Sequence, residues 1–137
     1  MDPARLSALP HEAWERLRFR FQPSVAVADS AWPILDIWEA RTRPRQEVEI
    51  DLRHRPQRVL VYRRPPRLWR ASGRGDGQTR CELVDGPQGS LLQRLLEGRT
   101  LGAALAELAE QHGGAEAPAV TQWFAGWAAR GLIIACE

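Results

Sequence analysis

The chain is 137 residues long and 44% hydrophobic, enough to build one compact domain whose core needs no staples, which excludes a disordered polypeptide. It contains no apolar run of about 18 residues, and its start, MDPARLSALPHEAWERLRF, lacks the apolar stretch of a secretory signal, so a cytoplasmic protein with no membrane segment is expected. All 19 basic residues are arginine, and the net charge of +2 hides a gradient: residues 41–80 carry 12 Arg against 4 acids, whereas residues 81–137 carry 3 against 7.

In chain order, PHEAWERL (10–17) predicts a short helix, with Trp14 and Leu17 one turn apart. RFRFQPSVAVAD alternates Phe19, Phe21 and then Val25, Val27, the period of a half-buried strand interrupted by Pro23. Ser30 is placed to cap a helix through AWPILDIWEA, where Trp32, Leu35 and Trp38 recur on one face and read as core. EVEIDL alternates Val48, Ile50 and Leu52 against acids and predicts a further strand. QRVLVYR, PPRLWRAS and QTRCELV then predict a three-stranded antiparallel meander, with the loop GRGDG reversing the chain before the last strand.

Three helices follow. Asp85 opens the first, with Leu91, Leu92, Leu95 and Leu96 on one stripe and Gly98 as its stop; Thr100 caps the second, which ends at Gly113-Gly114. Pro118 starts the third, with Val120, Phe124, Trp127 and Ala128 facing inward until Gly131 releases LIIAC. The expected fold is α+β: a three-stranded antiparallel meander plus a three-helix, winged-helix-like bundle, with residues 1–52 as an N-terminal extension of strands and helices and residues 53–137 as the domain proper.

No catalytic, cofactor-binding or metal-ligating set is visible. His11, His54 and His112 lie in separate elements without metal spacing, and Cys81 and Cys136 read as free thiols. There is no GxSxG and no phosphate-binding GxxxxGKS, and GRGDG joins strands instead of opening a helix. Glu47, Glu49 and Asp51 read as a solvated face paired with neighbouring arginines.

A winged-helix nucleic-acid-binding protein is the alternative, because three helices and a hairpin are the right inventory. Its third helix would have to read base edges, yet Thr121 and Gln122 are its only such candidates, and the helical part is net negative. Nucleic acid is therefore not the expected partner. Trp123 and Trp127 are i, i+4 neighbours beside Phe124, and so small a bundle does not easily bury all three; either they form a large aromatic core stripe, or an indole lines a groove beside the sheet edge. The second choice predicts an incoming peptide strand pairing with the edge strand Thr79, Arg80, Cys81, Glu82, Leu83 and Val84, with Arg80 meeting an acidic residue and Trp123 and Trp127 lining the groove.

The meander RVLVYRRPPRLWRASGRGDGQTRCELVDG, then LLQRLLEGRTLGAALAEL, then VTQWFAGWAARGLI resembles the peptide-recognition domains of ribosomally made, modified peptide pathways, which share a fold with the pyrroloquinoline quinone chaperone. FQPSVAV followed by WPILDIWEA, VLVYR and LLEGRTLGAAL is similar to the small partner proteins of multinuclear non-haem iron-dependent oxidative enzymes, the methanobactin and 3-thiaglutamate partner subunits among them. The resemblance spans roughly residues 19–134; longer members carry an extra N-terminal helical domain for which this chain has no room. It implies a noncatalytic subunit that forms a heterodimer with a TIM-barrel enzyme holding two or three irons, binds the leader of a precursor peptide and presents its core, a cysteine in the commonest case, to that enzyme. The iron would sit in the partner and none on this chain. Phe19, Phe21, Trp32, Ile34 and Trp38 are the expected enzyme-docking residues, because aromatic residues are enriched at such contacts, or else they are satellite core packed on the sheet.

Overall fold

A computed structural model describes residues 11–64, 79–84, 86–113 and 117–137. The predicted strand PPRLWRAS, the loop GRGDG and the helix-opening Asp85 lie outside the described residues. The elements are α1 (His11–Arg16), β1 (Phe19–Phe21), β2 (Ala26–Ser30), α2 (Ile34–Ala40), a 3-10 turn at Arg45–Glu47, β3 (Gln57–Arg63), β4 (Thr79–Leu83), α3 (Gly86–Leu96), α4 (Leu101–His112), α5 (Ala117–Ala129) and β5 (Ile133–Cys136). The fold is α+β, with a three-stranded antiparallel sheet in the order β2-β3-β4 and a separate two-stranded ribbon of β1 and β5.

The membership of the larger sheet corrects the expected meander. Its third strand is β2, in register Ala26↔Val61 through Ser30↔Gln57, which α2 separates from β3 along the chain. Pro23 does more than interrupt one strand: Phe19–Phe21 and Ala26–Ser30 belong to different sheets. The predicted strand EVEIDL is also not a strand. Asp51 accepts hydrogen bonds from the Arg53 main-chain N–H (3.0 Å) and Nε (3.0 Å), a side-chain-closed turn that competes with extended pairing.

The cap of α4 and the glycine stops of α4 and α5 follow the local signals, and the cap of α2 does not. Thr100 Oγ1 accepts the Ala103 N–H at 3.3 Å, capping α4, whose C-terminal Gly113 adopts φ +72°. At the end of α5, Gly131 turns to φ +71° while its N–H bonds the Ala128 carbonyl and the Leu132 N–H the Trp127 carbonyl, both 2.9 Å, which redirects the chain into β5. Ser30 does not cap α2: its Oγ accepts from the Trp32 N–H in a turn before Pro33, and the early helical N–H of Leu35 goes instead to Gln57 Oε1 of β3, 2.9 Å away. That bond explains why the Gln57 side chain is buried.

One core draws residues from both sides of residue 52. Leu17, Phe19, Phe21 and Val25 pack with Leu60 and Tyr62 of β3 and with the apolar stripes of α3, α4 and α5. Trp127 is wholly buried at its centre, edge-on to Phe124 (4.9 Å between centroids) and Phe21 (6.5 Å), and Phe124 meets Phe19 at 4.9 Å. Phe19 and Phe21 follow the alternative given for the docking set: 6% and 8% exposed, they pack in the core, where β1 pairs with β5. Trp32 and Trp38 reverse in the other sense. Read as core, they are 52% and 38% exposed, and only Leu35 of that face is buried.

Gly102 lets α1 approach α4, since a Cβ there would lie 2.9 Å from the Glu15 carbonyl oxygen, a backbone atom that cannot yield cheaply. In urea melts, Gly102→Ala is expected to cost about 1–3 kcal/mol and Trp127→Ala about 3–5 kcal/mol, with Trp123→Ala, only partly buried, costing clearly less than Trp127→Ala; equal losses for the two indoles would contradict the packing described.

Candidate functional site

β4 is the edge of its sheet: it pairs with β3 and, among the described residues, with nothing on its other side. The register runs from Val59↔Leu83 to Arg63↔Thr79, and the Val84 N–H donates to the Arg58 carbonyl at 3.1 Å. Since hydrogen-bonded and non-bonded pairs alternate along an antiparallel ladder, Glu82 and Arg80 turn their main-chain groups toward β3, whereas Thr79, Cys81 and Leu83 turn theirs outward. Of the six strand residues expected to pair with a peptide, these three have outward-directed main-chain groups.

The side chains divide by the same alternation. On the bundle side, Tyr62 donates to Glu82 Oε1 at 2.5 Å, and Arg130, just past the end of α5, reaches Glu82 Oε2 at 3.1 Å. This ties the edge strand to the helix that carries Trp123, which lies two turns before Arg130 on the same helical line. Trp123 is partly buried against the core, and Trp127, expected to line the groove with it, has no exposed surface left to offer a ligand. Arg80 is exposed on this face and close enough to act on Tyr62 electrostatically.

The opposite face is built differently. Ala28 of β2, Val59 and Val61 of β3, Thr79 and Cys81 of β4, and Ile34, Leu35 and Trp38 of α2 enclose an almost wholly apolar pit of about 240 Å³. At Trp38, Thr79 and Cys81 it adjoins a polar cleft of about 640 Å³ that also includes Glu39, Arg41 and Arg43. The Arg41 guanidinium stacks over Trp38, 3.5 Å from the ring centroid, and donates to the Trp38 carbonyl at 2.7 Å. Burial pushes the Cys81 thiol above its ordinary value, with Arg41 drawing it down and Glu39 pushing it up. Cys81 therefore stays a protonated, weakly polar wall at neutral pH. Trp32, the remaining aromatic of the expected docking set, stands outside this pit, edge-on to His54 at 5.5 Å.

A second cluster was invisible in the sequence. A cleft of about 790 Å³ lies where β2 and β3 meet α3 and α4. Arg58 crosses it, bonding Asp29 Oδ1 (2.5 Å), the Gly86 carbonyl (3.2 Å) and Ser90 Oγ (2.8 Å), and Ser90 Oγ lies 3.2 Å from His112 Nε2. Gly89 permits this, since a Cβ there would fall 2.2 Å from Arg58 Cδ. The four side chains come from four elements and no spacing links them. Arg58 divides its donors among three partners and Ser90 is 8% exposed, so the cluster acts as a clasp between sheet and bundle.

Neither protein-family models nor curated proteins match this chain. No group of three or more His, Cys, Asp or Glu among the described residues is placed to hold a metal ion, and no helix there is long and apolar enough to cross a membrane.

Burial, then the hydrogen bond and charge of Glu82, push the Tyr62 phenol up to about 12. Its folded pKa thus exceeds the unfolded value of about 10, so the stabilisation is complete below about pH 10 and is lost as the pH climbs toward 12. The urea midpoint of the wild type should fall through that window, and Tyr62→Phe should flatten the fall; parallel pH profiles would show that Tyr62 does not carry it.

Proposed function

We propose that this chain is a noncatalytic peptide-binding subunit, which takes up the leader of a ribosomally made precursor peptide as an added strand on β4 and presents its core to an iron-dependent oxidative enzyme. The observation that carries the reading is the outer edge of β4, where Thr79, Cys81 and Leu83 direct main-chain groups away from β3 between two differently furnished faces. The Glu82–Arg130 pair supports it by tying that edge to the end of α5, the helix that carries Trp123. The family resemblance supplies the pathway, the TIM-barrel partner and its two or three irons. Docking of the leader would make the encounter of the core with the enzyme intramolecular, at an effective concentration up to roughly millimolar for a short tether.

The nucleic-acid alternative finds less to rest on. From Ala119 onward, the exposed positions of α5 are Thr121, Gln122, Ala125 and Ala129, and the nearby Arg130 is engaged by Glu82. A recognition helix without a free cation has little to hold phosphate or read guanine.

Co-expression with the iron enzyme that the resemblance implies should yield a copurifying complex with iron on the enzyme. In fluorescence titrations with the precursor peptide, Trp123→Ala is expected to weaken binding by about 30-fold, equivalent to about 2 kcal/mol, and Arg80→Ala by only a few-fold. Unchanged affinity in a folded Trp123→Ala variant would remove the groove from consideration, and a duplex sequence preferred at about 150 mM salt would favour the alternative.

A further inference from the structure

The pit between α2 and β4 has no role in the fold that requires it to be open: Leu35 and Val59 are already buried beneath it, yet Trp38 stands over its mouth with 38% of its surface exposed. Its walls include Thr79 and Cys81, residues whose main-chain groups face outward. A strand paired with β4 shares faces with it, so the residue opposite Cys81 projects toward α2 at the pit, and the residue two positions along projects on the same face. The intervening residue projects to the bundle side, toward Arg80 and Arg130.

We infer that the α2 side of the edge, and not only the bundle side, selects the bound peptide: the pit takes one bulky apolar side chain, and Arg41 and Arg43 take an acidic side chain two residues from it. The inference rests on strand addition to β4 as proposed above. Size supports the apolar half, since about 240 Å³ exceeds the roughly 150 Å³ of an apolar cavity that admits benzene, so a Leu, Ile or Phe side chain fits. Charge supports the acidic half. Of the residues that line the adjoining cleft, Arg41 and Arg43 outnumber one acid, Glu39; Arg43 also borders a neighbouring cleft with Asp36, Glu49 and Asp51, so Arg41 is the stronger of the two, while Glu82 is turned to the other face and held by Tyr62 and Arg130. Arg41 is held in place by its stacking on Trp38, so little of its freedom remains to be lost on binding.

The test is selection of a displayed random dodecapeptide library on the full chain, repeated on Ala28→Phe, which fills the pit from β2 without touching β4, and on an Arg41→Glu, Arg43→Glu double variant. Wild type should enrich Leu, Ile or Phe with Asp or Glu two residues away. Ala28→Phe should lose the bulky residue and keep the acid, and the double variant should lose the acid and keep the bulky residue. By fluorescence anisotropy, replacing the bulky residue of a selected peptide with Ala should weaken binding to wild type about tenfold or more and leave Ala28→Phe nearly indifferent. Binders that depend on Trp123 but show no such spacing, or that Ala28→Phe enriches unchanged, would overturn the role of the pit and leave strand addition standing. A library that yields no binder to wild type would overturn both.

Discussion

Pairing of the two ends of the chain is the constraint on which the rest of the structure depends. β1 and β5 form a ribbon, extended by reciprocal main-chain bonds between Arg18 and Glu137 at 2.8 and 2.9 Å. The Gln22 N–H bonds the Leu132 carbonyl at one end of it, and the Leu101 N–H bonds the Leu17 carbonyl where α4 begins, both at 2.8 Å. The ribbon delivers Phe19 and Phe21 onto Phe124 and Trp127 and closes the bundle around them. Without β1 in place, Trp127, the largest fully buried side chain among the described residues, would lose an aromatic wall.

Closing the core in this way leaves the three-stranded sheet between two unlike layers. On one side, Leu60 and Tyr62 of β3 enter the common core; on the other, Val59, Val61 and Cys81 meet the single short helix α2. A helix of seven residues covers only part of a sheet, so the uncovered part becomes the pit at the β4 margin. The clasp of Asp29, Arg58, Ser90 and His112 secures the opposite margin of the sheet to α3 and α4. The sheet thus has one margin fixed to the bundle and one edge whose main chain is turned outward. That asymmetry is what makes β4 the place to look for a ligand, and the two faces flanking it give an added strand different chemistry at alternate residues.

Much of this fold is legible in the sequence, and the reason is range. The leucine stripe of α3, the Thr100 cap, and the glycines at 113 and 131 each depend on residues within a few positions of one another, where periodicity and side-chain capping act directly. The α+β class, a three-stranded antiparallel sheet and the edge position of the strand at Thr79–Leu83 followed from such signals, whereas the direct pairing of β3 with β4 did not. Alternation in the short stretch EVEIDL misled because it records which side chains share a face, and says nothing of whether a partner strand is available or whether Asp51 will close a turn on Arg53.

The helices, the Thr100 cap, the stops at Gly113 and Gly131, and the strands QRVLVYR and TRCEL were readable from the sequence, because those properties are set by local torsional preference and by the period of apolar residues. Packing between distant elements is what makes β2 complete the sheet, puts Phe19 and Phe21 in the core and Trp32 and Trp38 at the surface, and seals Trp127 while Trp123 remains partly open. It alone assembled the pit beside Arg41 and joined Arg58 to Ser90 and His112. Burial and proximity between elements far apart in the chain depend on how much apolar area each arrangement removes from water at once, a property of the whole packed molecule that no stretch of sequence carries.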